Sequence, residues 1–161
     1  VVGLNQGMQP IVGYNFGARN TDRVIKAFKL TVFAATAVTS VMFLFAEMLP
    51  GLIARAFTRS PELISLTISG MRLFLLVFPI VGFQMVTSSF FQSIGKARIS
   101  IFLSLTRQVL FLIPALLILP RLIGLPGVWL AGSVSDFISS LVTFIVLRWQ
   151  LGKLRKNAGI T

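Results

Sequence analysis

The run "LTVFAATAVTSVMFLFAEML" (Leu30–Leu49) holds a single ionisable residue, Glu47, close to its end, and "PG" follows it. A helix needs about 20 mostly apolar residues to cross the hydrocarbon core of a bilayer. Three more runs have the same character. Leu63–Phe91 carries Arg72 and Pro79, Ile101–Leu119 carries Arg107 and Pro114, and Val128–Leu147 carries only Asp136. The opening segment, residues 1–17, reads as a fifth, truncated span. Backbone polar groups inside lipid must be satisfied within their own segment, so such runs have to be helical. The expectation is an all-α, polytopic membrane bundle of about five spans, at 1–17, 30–49, 63–91, 101–119 and 128–147.

Composition closes the soluble alternative. Hydrophobic residues make up 55% of the 161-residue chain and charged residues 12%, and the mean hydropathy is +0.90. A soluble domain carries about a quarter charged residues. The net charge of +11 would suit nucleic acid, but the basic residues sit in short clusters between apolar runs, so no nucleic-acid partner is expected. With no Cys and no His, thiolate and imidazole metal sites, cysteine nucleophiles and histidine bases are absent from the sequence. No metal, cofactor, catalytic residue or enzyme activity is expected. The chain opens Val1-Val2, without Met or a basic leader, and reads as a piece of a longer protein.

The connections assign the ends. Arg19, Arg23, Lys26 and Lys29 follow the first run. Lys96 and Arg98 lie in the turn "SIGKARIS", and Arg148, Lys153, Arg155 and Lys156 lie near the C-terminus. Alternation of spans puts all three clusters on one side. Arg55, Arg59 and Arg121 fall on the other. Short Lys/Arg-rich loops stay cytoplasmic, so the C-terminus and the basic tail, residues 153–161, are expected there. Residues 1–152 would form the membrane part. In "SPEL", Ser60 is placed to cap a helix, Pro61 suits its first position and Glu62 meets its positive end.

Three stretches carry a family likeness. "GMQPIVGYNFGARNTDRV" (Gly7–Val24) resembles the cytoplasmic end of the second helix in the C-terminal lobe of multidrug and toxic compound extrusion (MATE) transporters, the branch with a "QPIxGYNxGA" signature. "FPIVGFQMVTSSFFQSIGKARIS" is similar to the fourth helix of that lobe and its turn. "LTRQVLFLIPALLILPRLIGLPGVWLAGSVSD" is similar to the fifth helix, the outer turn and the start of the last helix. The resemblance implies twelve helices in two six-helix lobes, of which this chain would hold about the last five. It implies a multi-pass protein of the bacterial inner membrane that exports cationic or amphipathic drugs in exchange for Na⁺ or H⁺, with no cofactor. Its partners would be the lipid bilayer, the N-terminal lobe of its own chain and small-molecule drugs or toxins. Some family members carry a coupling acid on the helix that corresponds to Leu63–Phe91. Here "FPIVGFQMVTSSFFQ" has none, which leaves the coupling ion open.

Asp136 is the sharpest single candidate. A carboxylate inside a bilayer costs a few kcal/mol, so it faces a cavity, pairs with a cation or is protonated. It reads either as a proton or cation relay and counter-charge for a drug, or as a structural partner of Arg72 or Arg107. Those two arginines read as snorkelling side chains or as gate ion pairs. Gln84, Ser88 and Gln92 recur every four residues and share one helix face, as interhelical hydrogen-bonding groups or as a cavity lining. Phe83, Met85, Phe90 and Phe91 offer an adaptable apolar surface beside them. Pro10, Pro79 and Pro114 are hinges or static kinks. Tyr14 and Asn15 are gate or packing residues, Gly13 and Gly17 permit close helix approach, and Glu47 is a solvated rim residue. Two other classes stay open. A lipid-linked oligosaccharide flippase of the same superfamily would place Arg72 and Arg107 in a cationic cavity, and a truncated product would be inactive.

Overall fold

The structure, a computed structural model, describes residues 1–157, with side chains as far as Lys153. The expected side chains of Arg155 and Lys156, and the end of the tail at 158–161, lie outside the described residues. Within the described residues, eight α-helices follow in order: α1 (Val2–Gly17), α2 (Thr21–Met48), α3 (Pro50–Phe57), α4 (Pro61–Leu75), α5 (Phe78–Ser93), α6 (Ala97–Leu105), α7 (Ile113–Ile123) and α8 (Leu125–Asn157). A π-helical stretch, Thr106–Leu112, joins α6 to α7. The all-α membrane bundle read from the sequence is the observed architecture.

Among the described residues, three helices are long and apolar enough to cross a membrane: α2, the continuous helix Ala97–Ile123, and α8. The pair α4 and α5 makes a fourth only when counted together, because it is bent by 46°. α1 accounts for 16 residues of the expected opening segment. The C-terminal tail expected from residue 153 instead continues α8 as far as Asn157.

The bend falls inside the span expected over Leu63–Phe91. Pro79, in the first turn of α5, has no N–H for the carbonyl four residues back, and its ring crowds that carbonyl. Val77 leaves helical geometry at φ −111, which frees carbonyls at the end of α4. Ser133 of α8 donates its hydroxyl to the Leu73 and Phe74 carbonyls, at 2.5 and 3.0 Å. Thr39 of α2 donates to the Pro79 carbonyl at 3.1 Å. Hydroxyl groups of neighbouring helices thus bond backbone carbonyls on both sides of the bend, as membrane interiors favour.

Pro114 has a different outcome. It does not kink its helix sharply. The turn before it is wound wider, and the Ile113 N–H reaches the Gln108 carbonyl five residues back. A π turn relieves the crowding of a proline ring without breaking the helix.

The helices pack around one apolar core of Met8, Val12, Val24, Phe28, Val86, Phe90, Phe91, Ile94, Leu103 and Leu147. Phe28 and Phe90 meet with ring centroids 4.5 Å apart. Phe90 and Phe91 are fully buried there, so they are not the adaptable surface expected of them. Backbones approach closely where glycine allows it. A Cβ on Gly82 of α5 would lie 2.9 Å from the Ala35 carbonyl of α2, and one on Gly127 of α8 would overlap the Leu119 carbonyl. Gly13 faces the Ser93 carbonyl, whereas a Cβ on Gly17 would meet nothing. Gly95 and Gly124 supply the positive φ of the turns after α5 and α7. Asn20 and Ser60 occupy N-cap positions, but neither side chain makes a capping bond. At Ser60 it is the backbone N–H that is held, by Thr58 Oγ1 at 3.3 Å.

The two ends of the bundle differ in chemistry. At one end, Lys96 of the α5–α6 turn donates to Gln150 Oε1 of α8 at 2.5 Å. Lys153 lies 3.6 Å above the Trp149 ring. Burial and the nearby Lys153 hold the Lys96 amine below its ordinary range. At the other end, Trp129 packs on Gly70 and Phe74 on Gly132. Arg72 Nε meets Glu47 Oε1 at 3.1 Å. Glu47 is therefore half of an exposed ion pair, and Arg72 is its partner.

Candidate functional site

The centre of the site is an ion pair between the π-wound turn and α8. Arg107 Nε donates to Asp136 Oδ1 at 2.6 Å. The Ser135 hydroxyl, next to Asp136 and buried, donates to the Arg107 carbonyl at 2.9 Å. One turn of α8 therefore grips the same residue by side chain and by backbone.

Depth explains why Arg107 is paired. The sequence reading started its helix at Ile101 and allowed the side chain to snorkel to a rim. The helix starts at Ala97, which puts Arg107 ten residues in, about 15 Å along the axis. Asp136 lies eleven residues into α8, about 16 Å along. Both therefore lie well inside helices long enough to cross an about 30 Å core. A guanidinium there gains more from a carboxylate than from a long reach to water, because Coulomb attraction grows as the dielectric falls. Of the two arginines considered as partners for Asp136, the structure selects Arg107 and sends Arg72 to Glu47.

Beside the pair lies a cavity of about 250 Å³ between α1, α5, α6 and the π-helical turn. Asn5, Gln84, Ser88, Ser104, Arg107 and Gln108 give its polar lining, and Met85 and Leu103 add apolar surface. Gln84 and Asn5 are buried, and neither Gln84 Oε1 nor Asn5 Oδ1 has a hydrogen-bond partner among the described residues. A buried acceptor without a donor costs about 1–3 kcal/mol. Both residues line the polar cavity, with these two oxygens turned away from its open space.

The Gln84–Ser88–Gln92 face divides in use. Ser88 Oγ lies 2.8 Å from Ser100 Oγ and 3.3 Å from Ser104 Oγ. Gln92 Nε2 donates to Ser100 Oγ at 3.0 Å. Ser88 and Gln92 therefore bind α5 to α6, and Ser88 also lines the cavity. Gln84 lines the cavity, its oxygen buried and without a partner among the described residues, while Gln92 does not line it. The residues of α1 stand apart from this cluster. Pro10 lies inside the helix without ending it, Tyr14 is 80% exposed, and Asn15 Nδ2 donates to the Ile11 carbonyl of its own helix at 2.8 Å.

Sequence reasoning missed Asn5, Ser100, Ser104 and Gln108. The last three repeat the four-residue spacing that singled out Gln84, Ser88 and Gln92, so the same test on the next helix would have found them. Asn5 had a weaker signal, an amide inside the apolar opening. The π-wound turn had none beyond Pro114.

Comparison with known proteins places the fold. The MatE family model matches residues 1–117; Asp136 lies beyond that match. The chain is similar to the multidrug export protein MepA of Staphylococcus haemolyticus, with 22% identity over 148 residues, 89% of this chain and 32% of that protein. Among solved structures it resembles the MATE multidrug transporter DinF-BH. There the TM-score is 0.86 and the identity 38%, over 91% of this chain and 33% of that one. A MOP superfamily transporter from Pyrococcus furiosus shares the fold at a TM-score of 0.88 and 23% identity, over 96% of this chain and 35% of that one. The chain thus spans about a third of the length of these relatives.

Proposed function

The chain belongs to the MatE family, and from that premise we propose that it is part of a secondary active multidrug exporter. The exporter works by alternating access and moves cationic or amphipathic small molecules outward against Na⁺ or H⁺. These helices supply part of one lobe, and an N-terminal lobe of the same protein supplies the facing wall. The basic residues gathered at one end of the bundle support a cytoplasmic C-terminus in the bacterial inner membrane, because short Lys/Arg-rich segments stay on that side.

The observation that carries the reading is the Arg107–Asp136 bond at 2.6 Å on the edge of a cavity lined by polar residues. A carboxylate held by one guanidinium N–H is a two-state element. A proton or Na⁺ arriving at Asp136 competes with Arg107 and frees the guanidinium to move. An ion shifts a conformational equilibrium only by its difference in affinity for the two states. Here that difference is the presence or absence of the arginine. For Na⁺, further oxygen ligands would come from Gln84 and the serine hydroxyls of the cavity. For H⁺, the carboxylate alone suffices.

The flippase alternative required a strongly cationic cavity with Arg72 and Arg107 in it. Arg107 lines the cavity but is offset by Asp136, and Arg72 is bonded to Glu47 elsewhere. The drug-export reading is favoured for that reason.

The test is Asp136→Asn in the full-length protein, read as ethidium efflux from cells or vesicles under an imposed Na⁺ or H⁺ gradient. Ion-coupled efflux is expected to vanish while membrane insertion persists. Wild-type efflux with unchanged ion dependence would remove Asp136 from the mechanism.

A further inference from the structure

A second concavity, separate from the ion pair, runs between α1 and α2 with a volume of about 560 Å³. Its floor on α1 is Gly3 and Gly7, one helical turn apart, with Ile11 beyond, and Leu30 faces them from α2. A Cβ on either glycine would meet nothing within 4 Å, so the groove is open because side chains are missing from its floor. Ile11 and Leu30 are 53% and 67% exposed, an apolar surface with no covering residue among those described.

The end of the groove nearest the α1–α2 turn has the opposite character. Arg23 and Lys26 of α2 line it there. Both are exposed, neither has an ion-pair partner among the described residues, and no acid lines the groove. From Gly3 to Asn15, the extent of the lining on α1, the helix rises about 18 Å. One leaflet of hydrocarbon is about 15 Å deep, half of an about 30 Å core. An apolar slot one leaflet long with two free cations at its interfacial end matches an acyl chain and a phosphate group. Basic pockets between transmembrane helices bind anionic headgroups in this manner.

We propose that the α1–α2 groove is a binding site for one anionic phospholipid, its phosphate held by Arg23 and Lys26 and one acyl chain lying over Gly3 and Gly7. Charge selects this occupant over a further helix of the same protein, which would bring two cations against an apolar surface with no counter-charge in the groove. The inference does not depend on drug transport.

The experiment is native mass spectrometry of the full-length protein, delipidated and titrated with phosphatidylglycerol or phosphatidylcholine. It compares the wild type with Arg23→Gln/Lys26→Gln and with Gly7→Phe, whose Cβ enters open space and whose ring fills the groove. The wild type is expected to retain one phosphatidylglycerol about tenfold more tightly than the double variant, with phosphatidylcholine retention equal in the two. Gly7→Phe is expected to lower retention of both lipids without lowering the melting temperature. Unchanged phosphatidylglycerol retention in both variants would overturn the proposal. So would a fall in melting temperature for Gly7→Phe alongside unchanged retention in the double variant, since a helix would then occupy the groove.

Discussion

Arg107 and Asp136 meet at 2.6 Å although 29 residues separate them, because a π-wound turn presents the arginine to the middle of the last helix. The Arg107 carbonyl is held from the same turn of α8 by Ser135. A sharp proline kink would have swung α7 away. The wider turn before Pro114 keeps the helix continuous and places the local irregularity at the charged residue. The pair is partly open, with side-chain exposures of 36% and 16%, so a competing ion has access to it.

That geometry predicts energetic coupling. Removing one member of a fully buried pair costs about 3–5 kcal/mol; partial exposure lowers the expected loss to about 1–3 kcal/mol for Arg107→Gln or Asp136→Asn. The double variant should lose less than the sum, with a coupling of about 1–2 kcal/mol. Unfolding in micelles by heat or denaturant measures the cycle, and additive losses would mean that the two side chains do not interact.

Gln84 presents an opposed case. Its Oε1 is buried without a partner among the described residues, a cost of about 1–3 kcal/mol. Gln84→Leu should therefore raise stability by about 1 kcal/mol and depress efflux. Groups kept despite a loss of stability are those that function requires. Loss of stability in this variant would show that the amide has a structural partner.

The glycines rank by what surrounds them. Gly127→Ala places a Cβ on the Leu119 backbone, where nothing flexible can yield, and a cost of at least about 3 kcal/mol is expected. Gly95→Ala enters open space but keeps φ +74, so about 1 kcal/mol of left-handed strain is expected. Thermal melts of the two variants should separate clearly, and equal shifts would contradict the tight α7–α8 hairpin.

Lys96 sets an alkaline pH dependence. Its folded-state pKa lies below the ordinary lysine value of 10.5 through burial and Lys153. Between the lowered value and 10.5 the unfolded chain binds more protons than the folded one. Stability contributed by this group therefore rises with pH across that window. Lys96→Gln should remove that rise, and denaturation curves at neutral pH and near pH 10 provide the comparison. An unchanged slope would assign the effect to another group.

Much of the fold was legible because lipid leaves little choice. A run such as Leu30–Leu49 must be helical, since no water satisfies its backbone, and α2, Thr21–Met48, contains all of that run but Leu49. Positions of polar groups along one helix were equally accessible. Gln84, Ser88 and Gln92 were read as one face from their spacing alone. Which neighbour each one meets was not. Ser88 and Gln92 turn to Ser100 and Gln84 to the cavity, and this depends on how α5 lies against α6 and α1.

The prolines show the same division. The sequence marked Pro79 and Pro114 as irregular points, because a missing N–H is a local property. Whether the chain bends by 46° or widens into a π turn is not a local property. Around the Pro79 bend, Ser133 of α8 and Thr39 of α2 bond the Leu73, Phe74 and Pro79 carbonyls.

A helical membrane bundle, the approximate place of its long helices and the lone acid in the last of them could all be read from the order of residues. Packing of the helices was needed to give Asp136 to Arg107 and not to Arg72, to bury two amide oxygens without partners among the described residues, and to open a groove between α1 and α2 lined at one end by Arg23 and Lys26. The difference is one of range. Hydropathy and backbone satisfaction act within a single helix, whereas ion pairs, cavities and grooves depend on the relative rotation of helices whose facing residues are far apart in the chain.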